Sequence, residues 1–166
     1  MNELLDWAKD WGMVLNCKKT KSMLFGGSTG DCLNLTIESN SGEEVSQQLY
    51  LGVMLDQRLT FSSQVDYAVS KAQRATYKLS GLMKGREGIP VQFGIILYKT
   101  LVRSHLEYAI PAWAAIADKD VTRLEKAQTN CLSMIIGAKA NSSVAAMEVI
   151  TDVIPFRVRT RELCIA

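Results

Sequence analysis

The sequence predicts an α+β fold in which a small antiparallel sheet with one helix is followed by an all-α helical bundle. Two observations carry this prediction. Up to residue 61, short apolar segments that alternate with polar residues are separated by turn-forming glycines and asparagines, which is typical of strands. From Ser62 onward the apolar residues recur at helical spacing. The 166 residues are 48% hydrophobic, which suffices for a folded domain with a core.

The segment 1–61 is predicted to contain one helix and several short strands. The helix covers residues 2–11, carries Leu4, Trp7 and Trp11 on one side, and ends at Gly12. A half-buried strand is expected where Leu33, Leu35 and Ile37 alternate with polar residues. Further strands are expected over 13–15, 22–25 and 50–56.

The segment 62–166 is predicted to form helices joined by short connections. A central helix over 93–117 has only a narrow polar stripe, so neighbouring helices must cover it on several sides. Pro111 predicts a kink or a break in this helix, because proline removes one helical hydrogen bond. Flanking helices are expected from Ser62 to about Lys84, from a cap at Asp118 or Asp120 to the residue before Gly137, from Ser142 or Ser143 to Ile150, and from Pro155 to the end.

Several functional classes find no support in the sequence. The four cysteines have no CxxC spacing and the chain has a single histidine, so no metal site is expected. A disulfide framework is not expected without a secretory signal, which favours an intracellular location in the cytoplasm or nucleus. No apolar run is long enough to cross a bilayer. For that reason no membrane partner is expected. No catalytic motif appears, so no small-molecule substrate is expected either.

The single histidine, His105, lies on the largely apolar central helix. A packed or hydrogen-bonded core histidine is the favoured interpretation over a catalytic role.

A line of aromatic and basic residues on the first long helix favours nucleic-acid binding. Tyr67, Lys71, Arg74 and Lys78 lie at positions i, i+4, i+7 and i+11, which places them on one side of the helix. Lys84 and Arg86 follow in the connection, and the segment 62–88 carries a net charge of +3. Such a stripe suits a sugar–phosphate backbone, whose binding is largely charge neutralisation. A solvated helix face is the alternative.

Five sequence runs follow one another along the chain: WGMVLNCKKTKSMLF from Trp11, YLGVMLD from Tyr50, LYKTLVRSHLEYA from Leu97, LEKAQ from Leu124, and IP with a later REL from Ile154. Together they resemble the C-terminal end of the palm and the thumb of non-LTR (LINE-type) retrotransposon reverse transcriptases. The resemblance covers nearly the whole chain in the family's order.

The resemblance implies three regions. Segment 1–61 would be the C-terminal remnant of the palm, 62–140 the helical thumb, and 141–166 an extension towards a ribonuclease H region. The family's metal-binding aspartates would precede Met1, so a fragment of an RNA-directed DNA polymerase without activity of its own is expected. Mg²⁺ would belong to the full-length polymerase. The expected partners are an RNA–DNA or DNA duplex (the template–primer) and the upstream half of the polymerase.

The resemblance also implies roles for individual residues. Lys19, with Lys21 second, corresponds to a palm lysine that would protonate the departing pyrophosphate. Tyr50, Leu51 and Gly52 correspond to the primer grip, where a tight backbone turn supports the primer end.

In this light, the Tyr67–Lys78 stripe would contact the duplex. Two alternatives to the polymerase fragment remain, which are a helical protein-interaction module and a non-functional transposon remnant.

Overall fold

The computed structural model describes residues 2–14, 16, 19–26, 36–37, 40–83, 89–139 and 141–165. The chain forms two compact units, Met1–Leu59 and Thr60–Ala166. Short paired strands and one helix occupy the described part of the first unit, and helices occupy that of the second. The predicted α+β class is therefore confirmed.

The first unit begins with helix α1, Asn2–Asp10, which is followed by strands arranged in pairs. The strands are β1 Lys21–Ser22, β2 Thr36–Ile37, β3 Asn40–Ser41, β4 Glu43–Glu44, β5 Gln47–Tyr50 and β6 Val53–Asp56. The pairs β2–β3 and β5–β6 are antiparallel, and β1–β4 is parallel. The parallel pair was not predicted. It is possible because the connection between β1 and β4 is long enough to return the chain in the same direction.

The expected strand over 50–56 is instead a hairpin. Tyr50 and Val53 face each other in the β5–β6 register, with Leu51 and Gly52 as the turn. Their φ angles are 46° and 83°, and two consecutive positive values characterise the tight turn that matches strand twist. Glycine adopts such a value without strain. The turn was not predicted because Leu51 is apolar, so the alternation of apolar and polar residues did not indicate where the strand ends.

Three other expected strands are not seen as predicted. Of the expected strand over 22–25, only Ser22 belongs to a strand, which is β1. Met13 and Val14 have no regular structure, and Val14 is 91% exposed. Of the expected strand over 33–38, only Thr36 and Ile37 lie within the described residues, and both belong to β2.

The second unit is a helical bundle built around a mostly apolar core. Its elements are α2 Ser62–Met83, α3 Val91–Leu97, a π-helical turn Tyr98–Val102, α4 Arg103–Glu107, α5 Ile110–Trp113, α6 Asp118–Ile136, α7 Val144–Thr151 and α8 Phe156–Ile165. Helix α2 packs on α6, on α4 and on the π-helical turn. The largest fully buried side chains include Trp113, Tyr98, Phe156, Leu79 and Leu106.

The central helix is shorter than predicted and breaks before the proline. Helical structure runs from Val91 to Glu107 and stops at Ala109, which has a φ angle of 53°. Pro111 lies in the first turn of α5, a position that tolerates proline because no hydrogen-bond donor is needed there. The break is stabilised by Trp113, whose Nε1 donates a hydrogen bond of 2.8 Å to the carbonyl of Tyr108.

A buried aspartate joins the start of α2 to α6. Asp120 is 1% exposed; its Oδ2 accepts a hydrogen bond of 3.0 Å from Ser62 Oγ, and its Oδ1 accepts one of 2.9 Å from Arg123. Arg123 also pairs with Asp66 on α2. The predicted capping of α6 by an aspartate is wrong. The N-cap is Ala117, without a side-chain hydrogen bond, since Asp120 is engaged between the helices.

Gly94 sets the spacing between α3 and α6, which makes it a test of the packing. A Cβ atom on Gly94 would lie 2.8 Å from Ile135 Cγ2 and 3.2 Å from Met83 Sδ. We expect Gly94→Ala to lower the free energy of unfolding by about 1–3 kcal/mol, because these neighbours must move apart. Urea denaturation measures the change.

Gly81 provides the matched control. A Cβ atom at this exposed position in α2 meets nothing within 4 Å. Gly81→Ala should therefore stabilise the protein by about 0.5–1 kcal/mol, because alanine loses less backbone entropy in a helix. Equal stability of the Gly94→Ala variant and the wild type would contradict the close approach of α3 to α6.

Candidate nucleic-acid interface

The basic stripe lies on the side of α2 that the bundle leaves open. Val65, Ala68, Ala72 and Leu79 are buried, which fixes the rotation of the helix about its axis. The predicted residues Tyr67 and Lys71 are half-buried at the edge of this apolar face, while Arg74 and Lys78 are exposed. The structure therefore brings these four predicted residues together on one surface.

Local contacts hold two of these side chains in place. The Lys71 ammonium lies 4.4 Å from the centre of the Tyr67 ring, a cation–π contact between neighbouring turns of the helix. Arg74 Nε donates a hydrogen bond of 3.2 Å to the carbonyl oxygen of Ser70. Both contacts leave the positive charges unneutralised.

A groove of about 350 Å³ lies between α2 and the central helical segment. It is lined by Lys71, Arg74, Ala75, Lys78, Leu101 and His105, and we call it the cationic groove. None of these lining residues is acidic. Within the described ranges, none of the three basic residues forms an ion pair with a carboxylate. The groove therefore has a positive potential suited to an anion.

His105 belongs to this groove, so its interpretation as a core histidine is corrected. It is half-buried in α4 and faces the basic side chains of α2. Burial lowers the pKa of His105 below 6.5, and the charges of Lys71 and Arg74 lower it further. The sequence interpretation failed because the neighbours of His105 on α4 are mostly apolar, whereas its contacts come from another helix.

A second groove of about 480 Å³ lies on the other side of Arg74 and Lys78. Ser70, Gln73 and Tyr77 complete its lining, in which apolar atoms contribute most of the surface. We call it the aromatic groove. The Tyr77 side chain is 81% exposed. Tyr77 was not predicted as a site residue, although it lies one turn after Arg74 and next to Lys78 in the sequence.

The two predicted palm lysines lie in the first unit. Lys19 is exposed, and its backbone N–H donates to the carbonyl oxygen of Asn16 at 3.0 Å. Lys21 lies in β1, and its Nζ is 3.5 Å from Glu43 Oε1. Among the described residues, Lys21 therefore pairs with a carboxylate, whereas Lys19 does not.

The remaining predicted contacts divide between the hairpin and the connection after α2. Tyr50 and Leu51 are 62% and 77% exposed at the end of the β5–β6 hairpin, beside Gly52. Lys84 and Arg86 lie outside the described residues.

The described acidic residues do not form a metal-binding group. In the described part of the chain, no three His, Cys, Asp or Glu side chains come close enough together to hold an ion. Glu107, for example, accepts from both Arg103 and Arg159. Of the helices seen here, none is both long and apolar enough to cross a membrane.

Comparisons with known proteins point to mobile elements. The chain is 26% identical over 133 residues to the "RNA-directed DNA polymerase from mobile element jockey" of Drosophila funebris, which covers 80% of this chain and 14% of that protein. It is 24% identical over 142 residues to the corresponding jockey polymerase of Drosophila melanogaster, with 83% and 16% covered. The "Probable RNA-directed DNA polymerase from transposon X-element" of Drosophila melanogaster is 24% identical over 134 residues, with 81% and 15% covered.

The chain is a distant homologue of a short part of non-LTR retrotransposon reverse transcriptases. It spans only 14 to 16% of the length of these polymerases. No protein-family profile matches the chain, and no solved structure is similar to it.

The single histidine of the chain allows the electrostatics of the cationic groove to be measured directly. One imidazole signal is expected in NMR spectra, titrating with a pKa below 6.5 because burial and two nearby cations disfavour the imidazolium form. Lys71→Met should raise this pKa, because it removes one of the cations. Lys119→Met, on α6, removes the same charge elsewhere and should leave the pKa unchanged.

The direction of the pH effect on stability follows from the same lowered pKa. Below the unfolded value of 6.5, the unfolded chain binds the proton more readily than the folded protein. The free energy of unfolding should therefore fall as the pH drops through this value towards the folded pKa. A histidine that titrates at or above 6.5 in the folded protein would contradict the arrangement of the groove.

Proposed function

We propose that this chain grips the template–primer duplex of a non-LTR retrotransposon reverse transcriptase. The observation that carries the proposal is the cationic groove, where Lys71, Arg74 and Lys78 meet His105 without an acidic neighbour in the lining. Unpaired cations on one face are the electrostatic footprint of a nucleic-acid contact. The distant homology to RNA-directed DNA polymerases supports the same choice of ligand.

The length of the basic stripe matches a short piece of backbone. From Lys71 to Lys78 the helix rises roughly 10 Å, at about 1.5 Å per residue. One strand of a stacked duplex places a phosphate about every 3.4 Å along its axis, so about three phosphates fit this length. Contacts of this kind position a duplex without reading its sequence.

His105 adds a pH-dependent contact to the proposed grip. In the free protein, burial disfavours the imidazolium form, and the charges of Lys71 and Arg74 disfavour it further. A bound phosphate offsets the two positive charges, so we expect it to raise the pKa of His105 even though the burial remains. Protonated His105 then donates a charge-assisted hydrogen bond to the backbone.

Two parts of the first unit have proposed roles in the same polymerase. Of the two palm lysines, Lys19 is preferred as the proton donor to the leaving pyrophosphate, because Lys21 is paired with Glu43. The hairpin end at Tyr50, Leu51 and Gly52 is proposed as the primer grip, where exposed side chains and a tight turn meet the primer strand. We propose further phosphate contacts for Lys84 and Arg86.

The three segments of the chain would then have distinct roles. Segment 1–61 would be the end of the palm, 62–140 the thumb, and 141–166 an extension beyond it. The proposed partner besides the duplex is the upstream part of the polymerase, which would hold Mg²⁺. The described carboxylates do not form a ligand set, so we assign to them no step through Mg²⁺.

A second candidate function is a protein-interaction module. It is favoured by Leu4 and Trp7 of α1 and by Trp11 directly after it, which are all at least 51% exposed. The two tryptophan rings lie 6.4 Å apart, and aromatic residues are enriched in protein interfaces. Self-association that does not depend on salt, without nucleic-acid binding, is the expected behaviour of such a module.

Binding to a labelled RNA–DNA hybrid tests the proposed grip. We expect the logarithm of the association constant to fall linearly with the logarithm of the salt concentration, with a slope of about −0.9 per phosphate neutralised. Replacing Lys71, Arg74 and Lys78 with glutamine should reduce the magnitude of this slope by about 2 to 3, because about three phosphate contacts are lost. Fluorescence anisotropy at several salt concentrations measures both slopes.

A charge-matched control separates the groove from net charge. Replacing Lys119, Lys126 and Lys139 with glutamine removes the same three charges from exposed positions in and after α6. This variant should keep most of the binding and of the salt slope. If both triple variants lose binding equally, or if the wild type does not bind the hybrid, the proposed grip is wrong.

A further inference from the structure

We infer that Tyr77 stacks on an unpaired base, so that this face of α2 recognises single-stranded nucleotides beside the duplex. The inference rests on the proposed function, because it extends the nucleic-acid contact from the cationic groove into the aromatic groove. It adds a ligand class, an unpaired nucleotide, that charge neutralisation alone does not select.

The inferred contact requires that the Tyr77 ring is accessible. Tyr77 is 81% exposed in the middle of a well-formed helix. By contrast, Tyr98 is fully buried and its hydroxyl donates a hydrogen bond of 2.7 Å to Gln128. Tyr77 thus contributes little to the core, and its apolar ring is available to a ligand.

The Tyr77 ring shares its groove with two basic side chains. Arg74 and Lys78 line both the cationic groove and the aromatic groove. A strand whose phosphates contact these two residues would place its bases near Tyr77, because Arg74, Lys78 and Tyr77 line the aromatic groove together. Gln73 and Ser70 border the same groove and supply an amide and a hydroxyl for the edge of a base.

A tyrosine ring can stack only on a base whose face is not already covered. In a continuous duplex, each base face is covered by the neighbouring base pairs, so a side chain cannot stack on it. Unpaired bases present open faces, and proteins that bind them combine a positive groove with aromatic rings. An exposed tyrosine that shares its groove with two cations has this composition. A template overhang next to a primer end would offer such a base.

The experiment compares a template–primer carrying a single-stranded template overhang with a blunt duplex that has the same number of phosphates. We expect the wild type to bind the overhang substrate about 10-fold more tightly, which corresponds to about 1.4 kcal/mol and is within the range of base–aromatic stacking. Tyr77→Ala should remove this preference and leave blunt-duplex binding unchanged. Tyr77→Phe should retain the preference, because the ring and not the hydroxyl stacks.

Val149→Ala serves as the matched control, because Val149 is also 81% exposed but lies on α7. It should retain both the overhang preference and blunt-duplex binding. Circular dichroism of all variants checks that the helices remain folded.

The outcomes distinguish this inference from the proposed function. If the wild type binds both substrates equally with a steep salt dependence, or if Tyr77→Ala keeps the overhang preference, the inference is overturned and the proposed grip stands. If the wild type binds neither substrate, both fail. A Tyr77→Ala variant that alters only self-association would assign the ring to a protein contact and also overturn the inference.

Discussion

The fixed rotation of α2 about its own axis is the constraint on which the candidate interface depends. Val65, Ala68 and Ala72 have no other place to be buried than against the neighbouring helices. Asp120 adds a directional link, because it accepts hydrogen bonds from Ser62 and from Arg123 at once. An uncompensated buried carboxylate would be costly, so both partners must stay in place. The side of α2 that faces away from these buried residues is therefore exposed to solvent, and its basic side chains lie on that side.

The cations of that open side are left available because nearby carboxylates have other partners. Asp66, the acidic residue in the first half of α2, pairs with Arg123. Glu107, which lies on the same helix as His105, accepts from Arg103 and from Arg159. Like charges that share a groove repel one another, and a protein that keeps them together has a site that an anion would stabilise. The charge distribution, not the small net charge of the chain, therefore supports the choice of ligand.

Local signals predicted most helix limits correctly, whereas features that depend on contacts between helices were missed. Gly137 ends α6 in a left-handed conformation, and Ser143 accepts a hydrogen bond at the start of α7; both follow from the preferences of single residues. Pro111 predicted a break in the central helix, but not its place two residues earlier at Ala109, which has a φ angle of 53°, nor the hydrogen bond from Trp113 to Tyr108 across it. The stripe was found from spacing alone, but spacing could not show that Tyr77 is left uncovered, because exposure is decided by the neighbouring helices.

Three of the runs that resemble polymerase motifs are joined by hydrogen bonds inside the bundle. Gln128, from the LEKAQ run, accepts a hydrogen bond from Tyr98 of the LYKTLVRSHLEYA run. Its amide also donates to the carbonyl oxygen of Ile154, the first residue of the IP pair, at 3.3 Å. Burial raises the pKa of Tyr98 further above neutral pH, which strengthens the preference of its hydroxyl for the protonated, donating form. These runs therefore specify how the helices pack. The basic residues of α2 lie outside the runs, whereas Leu101 and His105, which complete the lining of the cationic groove, belong to the LYKTLVRSHLEYA run. The choice of ligand therefore rests mainly on the α2 surface and not on the resemblance.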